Sequence, residues 1–157
     1  MQDMILQIIQ DPEFPEGEAW HRRSFEANEI ILREGDEERT MYLVESGGLR
    51  VSGRVTLEDD RHIQPGLADL GAGDLFGEFS LFETHARTAS VVAIDTGSLV
   101  AIDCVRLSDY LEQRPDVGYL VLKRLFMVLI DRLSRANERV EHLFAWGLKM
   151  HGIDQHL

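Results

Sequence analysis

The sequence predicts a mainly β chain with flanking helices, an α+β domain built on a double-stranded β-helix (jelly roll) that carries one short internal helix and is followed by a long C-terminal helix. Three features point there. Residues 23–55 fall into strand-length apolar runs cut by Gly-Asp and Gly-Gly, the pattern of an antiparallel sandwich or barrel with hairpin turns. Phe76 to Phe82 places apolar residues at helical spacing just after Gly73-Asp74, which reads as a helix of about two turns. Beyond Pro115 the apolar period becomes alternating steps of four and three, the seam of a long helix.

Taken in order, Met4, Ile5, Ile8 and Ile9 form a stripe ended by Asp11-Pro12, a short amphipathic helix expected to pack on the body as a flap. Glu13 to Ala19 is a Pro/Gly/Glu-rich linker, and Trp20 to Phe25 opens the strands. The runs Ile30-Ile31-Leu32, Met41-Tyr42-Leu43-Val44 and Leu49-Arg50-Val51 are separated by Gly35-Asp36 and Gly47-Gly48. Leu57 to Gly66 is polar and reads as a hairpin loop. Ser98 to Ile102 closes the β part, and Val105 to Arg114 has helix character that stops at Pro115. The seam itself is Leu122, Phe126, Leu129, Leu133, Ala136, Val140 and Leu143, widened by Leu125, Val128 and Ile130. One helix of about 30 residues is about 45 Å long, more than a small barrel can cover. The simplest partner for the remainder is the same helix of a second subunit, the alternative being that it folds back on its own barrel. Gly147 and Gly152 suggest fraying into a tail over 149–157. The expected segments are 1–19 helix and linker, 20–104 β-roll, and 105–157 C-terminal helices.

With 157 residues and 44% hydrophobic content the chain fits one domain with a sizeable core. The single cysteine, Cys104, lies in an apolar-polar run and reads as a small buried hydrophobe, which suits a reducing cytoplasm. No export signal or bilayer-spanning run is evident. A formal charge of −12, from 28 acidic and 16 basic residues, argues against holding nucleic acid directly, since phosphate contacts need a basic face. The text also ends before any helix-turn-helix could follow.

The chemistry concentrates between Gly73 and Val92. The start of a helix leaves backbone N–H groups unpaired, and the missing side chain at Gly77 lets a ligand approach them; both favour an anion such as phosphate. Nine residues after Glu78 stands Arg87, opening the β-like run Arg87 to Ala93. A guanidinium fork matches phosphate oxygens, and a carboxylate can accept from sugar hydroxyls. Together they describe a sugar-phosphate site. The structural alternative is a turn glycine beside an ordinary ion pair.

Phe76-Gly77-Glu78, an apolar run, Glu83-Thr84-His85 and then Ala86-Arg87-Thr88-Ala89 resembles the phosphate-binding cassette of the cyclic nucleotide-binding domain family, which includes catabolite activators, regulatory subunits of cyclic-AMP-dependent kinase and cyclic-nucleotide-gated channels. Ala27 to Asp36 and Met41 to Gly47 resemble the family's first strands, so the likeness runs over nearly the whole chain. The resemblance implies that Glu78 takes the ribose 2′-hydroxyl and Arg87 the cyclic phosphate, with Gly77, Phe79, Thr88 and Ala89 completing the site and no further cofactor. It implies a lid in the helix after the barrel, where Asn137 meets the purine edge, the alternative being a plain surface asparagine of the long helix. Thr88 after the arginine leaves cyclic AMP and cyclic GMP both open, cyclic AMP slightly ahead. The sequence departs from the pattern at Ser80, where a small apolar residue is usual, and at Ala86, where proline is common; neither is expected to touch the charged pair.

An enzyme reading lacks its parts. The β-roll shape is shared with metal-dependent cupins, whose sites need histidines converging with a carboxylate. Here His21, His62, His85, His142, His151 and His156 are scattered, with no two as close as His-x-His, and Glu58-Asp59-Asp60 lacks the glycine and spaced carboxylates of a calcium loop. The expected function is therefore non-enzymatic: a cyclic nucleotide-binding regulatory module, homodimeric through the 116–146 helix, signalling to an effector protein, with no nucleic acid binding and no membrane insertion. The alternatives are a ligandless dimerisation module with a degenerate cassette, and a fragment of a Crp/Fnr-like transcription regulator lacking its DNA-binding domain.

Overall fold

The structure, a computed structural model, describes residues 1–53, 55–56, 62–63, 66–82 and 86–150. It forms two compact units, Met1–Gly118 and a second that begins at Tyr119.

The first unit is a jelly roll. Its strands are β1 (Trp20–Phe25), β2 (Ile30–Leu32), β3 (Thr40–Ser46), β4 (Leu49–Ser52), β5 (Val55–Thr56), β6 (His62–Ile63), β7 (Gly66–Leu70), β8 (Leu75–Phe76), β9 (Ser90–Ala93) and β10 (Gly97–Asp103). One four-stranded sheet has the order β1-β10-β3-β8 and the other β2-β9-β4-β7, and every pairing is antiparallel. Phe25, Leu32, Tyr42, Val44, Leu49, Phe76, Val91 and Leu99 form the core between the sheets. Tyr42 and Phe76, opposite each other in β3 and β8, stack with ring centroids 5.0 Å apart.

The strands at 20–25, 30–32, 40–46, 49–52 and 97–103 follow the sequence reading, whereas the run expected to open at Arg87 becomes strand only at Ser90, Phe76 ends β8 instead of starting the helix, and the turns connect differently. Gly35 and Gly47 both adopt positive φ, at 91° and 82°, a conformation glycine reaches without steric cost. Neither closes a hairpin: β2 and β3 lie in opposite sheets, as do β3 and β4. Each run crosses over and pairs with a strand distant in sequence: β2 with β9, β3 with β10 and β8, and β4 with β9 and β7. Among the described residues β5–β6 is the one hairpin pair separate from the two main sheets. β6 lies inside the stretch 57–66 expected to be loop, and Gly66 already opens β7; residues 57–61 and 64–65 lie outside the described residues.

Along β3 and β10 consecutive residues are buried, Met41 to Val44 and Leu99 to Ile102, so this sheet is covered on both faces. Outside it lie α1 (Gln2–Ile9), burying Ile5, Ile8 and Ile9, and α2 (Cys104–Glu112), burying Leu107, Tyr110 and Leu111. Asp103 caps α2, its Oδ1 accepting from the amides of Val105 and Arg106 at 2.8 and 2.9 Å, and so starts the helix one residue before the apolar text suggests. Cys104 is fully buried, and desolvation pushes its thiol up to about 12 against the opposing pull of Arg87 and Arg39. The expected flap is latched: Tyr110 Oη donates to Asp11 Oδ2 at 2.7 Å, Phe14 meets the Tyr110 ring edge-on at 5.3 Å, and Arg114 lies over the same ring at 4.1 Å and pairs with Glu13. Burial and the Asp11 carboxylate together push the Tyr110 hydroxyl up to about 12. Tyr110→Phe removes a hydrogen bond to a charged acceptor and is expected to lower stability by about 1.5 kcal/mol, read as an earlier urea midpoint with faster protease cleavage between residues 10 and 19. An unchanged midpoint counts against the latch.

Pro115, where one helix was expected to stop, also starts the next, α3 (Pro115–Met150), as proline's fixed φ suits the first turn. In the second unit Val121 and Leu125 are buried. Leu122, Phe126, Leu133, Val140 and Leu143 of the predicted seam are exposed, Leu133 at 62% and Val140 at 64%. The helix runs through Gly147 to Met150 instead of fraying at 149, and residues 151–157 lie outside the described residues. Among the described residues no helix is long and apolar enough to cross a membrane.

Candidate functional site

The site is built where β8 leaves its sheet. Pairing of Tyr42 with Phe76 and Leu43 with Leu75 fixes the strand end, and Gly77 follows with φ 75°. A Cβ there would stand 2.9 Å from Thr40 O and 3.0 Å from Arg87 Nη1. The glycine is therefore needed twice, for its dihedral and for the room it leaves beside the guanidinium. The expected two-turn helix is a single 3-10 turn, Glu78–Leu81. Its bonds run three residues back, Ser80 N to Gly77 O at 3.2 Å and Phe82 N to Phe79 O at 3.1 Å. Leu81 is buried while Phe79 and Phe82 are exposed, so the apolar residues share no face that could dock and lengthen the helix. One short turn contributes little dipole, so the positive charge of the site comes from side chains, from the buried Arg87 and from Arg39, whose Nε donates to Ser80 O at 3.4 Å.

Arg87 is held by the loop between β2 and β3. Its amide donates to Asp36 O at 2.8 Å, and its carbonyl accepts from Gly35 N at 2.9 Å. Its side chain turns inward and is only 7% exposed. Nη2 donates to Thr40 O at 2.7 Å, Nη1 to Ser80 Oγ at 2.8 Å and, more weakly, to Gly77 O at 3.4 Å. Nε has no hydrogen-bond partner, alone among buried side-chain nitrogens and oxygens of the described residues. Leaving a buried N–H of a cation unpaired is unfavourable, so this atom favours an acceptor of negative charge brought from outside.

Of the residues singled out in the sequence, Gly77 and Arg87 are in direct contact. Glu78 is buried at the start of the same turn, at 2% exposure. Phe79 and Thr88 are exposed and Ala89 is half-buried. Asn137 lies exposed on α3, in the second unit. The linker Glu83-Thr84-His85 lies outside the described residues. The expectation that Ser80 stays clear of the charged pair is overturned, because its hydroxyl is a direct partner of Arg87. The part of the loop from Asp36 to Thr40 went unnoticed in the sequence, since it contributes backbone carbonyls, which any residue type supplies. Its one legible signal was the Gly35-Asp36 turn. Among the described residues no group of three His, Cys, Asp or Glu side chains is placed to hold a metal ion.

The profile of the cyclic nucleotide-binding domain matches residues 22–114, and the chain belongs to that family. Its curated relatives include the cyclic AMP receptor protein of Thermus thermophilus, 37% identical over 124 residues that make up 79% of this chain and 54% of that protein. A CRP-like cAMP-activated global transcriptional regulator of Mycobacterium tuberculosis is 29% identical over 119 residues, 76% of this chain and 50% of the regulator. The chain thus spans about half the length of these relatives. A solved cyclic nucleotide-binding domain from Methylobacillus flagellatus superimposes with a TM-score of 0.70 at 25% identity, covering 77% of this chain and 66% of that one.

Proposed function

We propose that this chain is a non-enzymatic regulatory module that binds cyclic AMP or cyclic GMP in the cassette and passes the signal through its C-terminal helix to an effector protein. Arg87 holds the cyclic phosphate and Glu78 the ribose 2′-hydroxyl. Gly77, Phe79, Thr88 and Ala89 line the remainder. The observation that carries this reading is the buried guanidinium of Arg87 with an unpartnered Nε. A cyclic phosphate meets it with charge-assisted hydrogen bonds worth about 1.5–3 kcal/mol each. Relatives named for cyclic AMP support that nucleotide, and Thr88 keeps cyclic GMP in play. The single buried Cys104 suits a cytoplasmic setting, and the acidic balance of the chain suits an effector that is not nucleic acid.

Ligand biases such a module only by the difference in its affinity for two conformations. Calorimetric titration of the wild-type protein with cyclic AMP and with cyclic GMP is the test. Saturable heat with at least one is expected; none with either overturns the reading in favour of a ligandless module.

We further propose that the module is a homodimer through α3. The exposed residues Leu122, Phe126, Leu133, Val140 and Leu143 fall, with Leu129 and Ala136 between them, on the four-three period of a two-helix seam, and so large an apolar stripe marks an interaction surface. Light scattering at two concentrations is expected to give twice the chain mass, reduced to one chain mass by Leu133→Asp. A monomer at both concentrations counts against the seam.

A further inference from the structure

We propose that Ser80 is a positioning residue for Arg87: its hydroxyl sets which edge of the guanidinium faces the ligand, and through that the affinity for the phosphate. The inference rests on the functional reading above and adds a residue to which that reading gives no part.

The hydrogen bonds of Ser80 run in one order. Its side chain is buried, and its Oγ donates to Glu38 O at 3.1 Å. A serine hydroxyl has a single proton. With that proton committed to Glu38, Oγ can meet its other neighbour only as an acceptor, and that neighbour is Arg87 Nη1 at 2.8 Å. The serine is itself anchored through its backbone, its carbonyl accepting from Arg39 Nε at 3.4 Å and its amide donating to Gly77 O at 3.2 Å. The segment Glu38-Arg39-Thr40 therefore holds the guanidinium twice, directly through Thr40 O and indirectly through Ser80.

Counting donors shows what this does. A guanidinium has five N–H groups. Both protons of Nη1 are directed at Ser80 Oγ and Gly77 O, and one of Nη2 at Thr40 O. The proton on Nε and one on Nη2 remain. They sit on two different nitrogens of one planar fork, which suits two oxygens of one phosphate. Ser80 thus ties off Nη1 and leaves the Nε side of the fork for the ligand. An arginine without this tether has more rotamers to lose on binding, and a site is only as exact as the second layer of contacts behind it.

Ser80→Ala deletes one oxygen and leaves the cation in place. Titration with cyclic AMP and cyclic GMP is expected to show affinity reduced about tenfold, the scale of one hydrogen bond to a charged group. The loss should shrink to less than about twofold in the Arg87→Lys background, because a residue acting through the fork has nothing to orient when the fork is gone. Ser80→Thr, which keeps the hydroxyl, should recover most of the affinity. Equal losses in both backgrounds, or none in the first, would overturn the proposal. A readout without nucleotide runs in parallel: the ligand-free wild type should give resolved Nη signals for a slowly rotating Arg87 guanidinium in nitrogen-detected magnetic resonance, merged in Ser80→Ala. Signals unchanged in Ser80→Ala sink the positioning role. Signals that merge while wild type binds neither nucleotide sink the functional reading and leave the positioning of Arg87 standing.

Discussion

Replacing Arg87 with alanine is expected to weaken binding of cyclic AMP and cyclic GMP by at least about tenfold, since two charge-assisted hydrogen bonds to the phosphate are lost. The same change acts on stability in opposing directions. It frees a cation that is 7% exposed from its desolvation, and it leaves Thr40 O and Ser80 Oγ without their donor. These effects offset in part, so the loss of affinity should far exceed any loss of fold. Calorimetry of wild type and Arg87→Ala, with circular dichroism as a check on folding, separates the two. A folded variant with undiminished affinity removes Arg87 from the site. Arg87→Lys should fall between them, because an ammonium keeps the charge and loses the fork.

Gly97→Ala is expected to produce the largest loss of stability in the β-roll. Gly97 opens β10 opposite Phe25 of β1. A Cβ built on it stands 2.2 Å from Ser46 O and 2.6 Å from Phe25 Cζ. The first obstacle is backbone of β3, which cannot swing aside as a side chain does. The second is a ring in the core cluster. Relief requires the β1-β10-β3 ladder to spread at its end, and over-packing of this kind is expected to cost about 3 kcal/mol. For a chain of this size that lowers the Tm by about 10 °C. Thermal unfolding followed by circular dichroism measures it, and a Tm within about two degrees of wild type would contradict the crowding. Gly35→Ala is a useful contrast: its Cβ meets nothing within 4 Å, so its cost is confined to the positive φ of 91°.

Local chemistry wrote several features into the sequence directly. The strand runs, the turn glycines at 35 and 47, the break at Pro115 and the four-three period of α3 each follow from what a few neighbouring side chains prefer. A phosphate-matching arginine and a special glycine in one cassette were legible for the same reason, since glycine and arginine have few substitutes in those roles; that the room left at Gly77 is taken by the guanidinium of Arg87 was not. Three things were decided only in three dimensions. The turns at Gly35 and Gly47 became crossovers between sheets because the strands on either side of each find their hydrogen-bonding partners far along the chain, which no neighbouring side chain records. The helix after Gly77 shrank to one 3-10 turn because its apolar residues do not share one buried face, Leu81 lying buried and Phe79 and Phe82 exposed. The surroundings of Arg87 are mostly main-chain oxygens, of Thr40 and Gly77, together with the Ser80 hydroxyl seven residues back. A carbonyl leaves no mark in the identity of its residue, so what sets the direction of that guanidinium emerges only when the chain has folded around it.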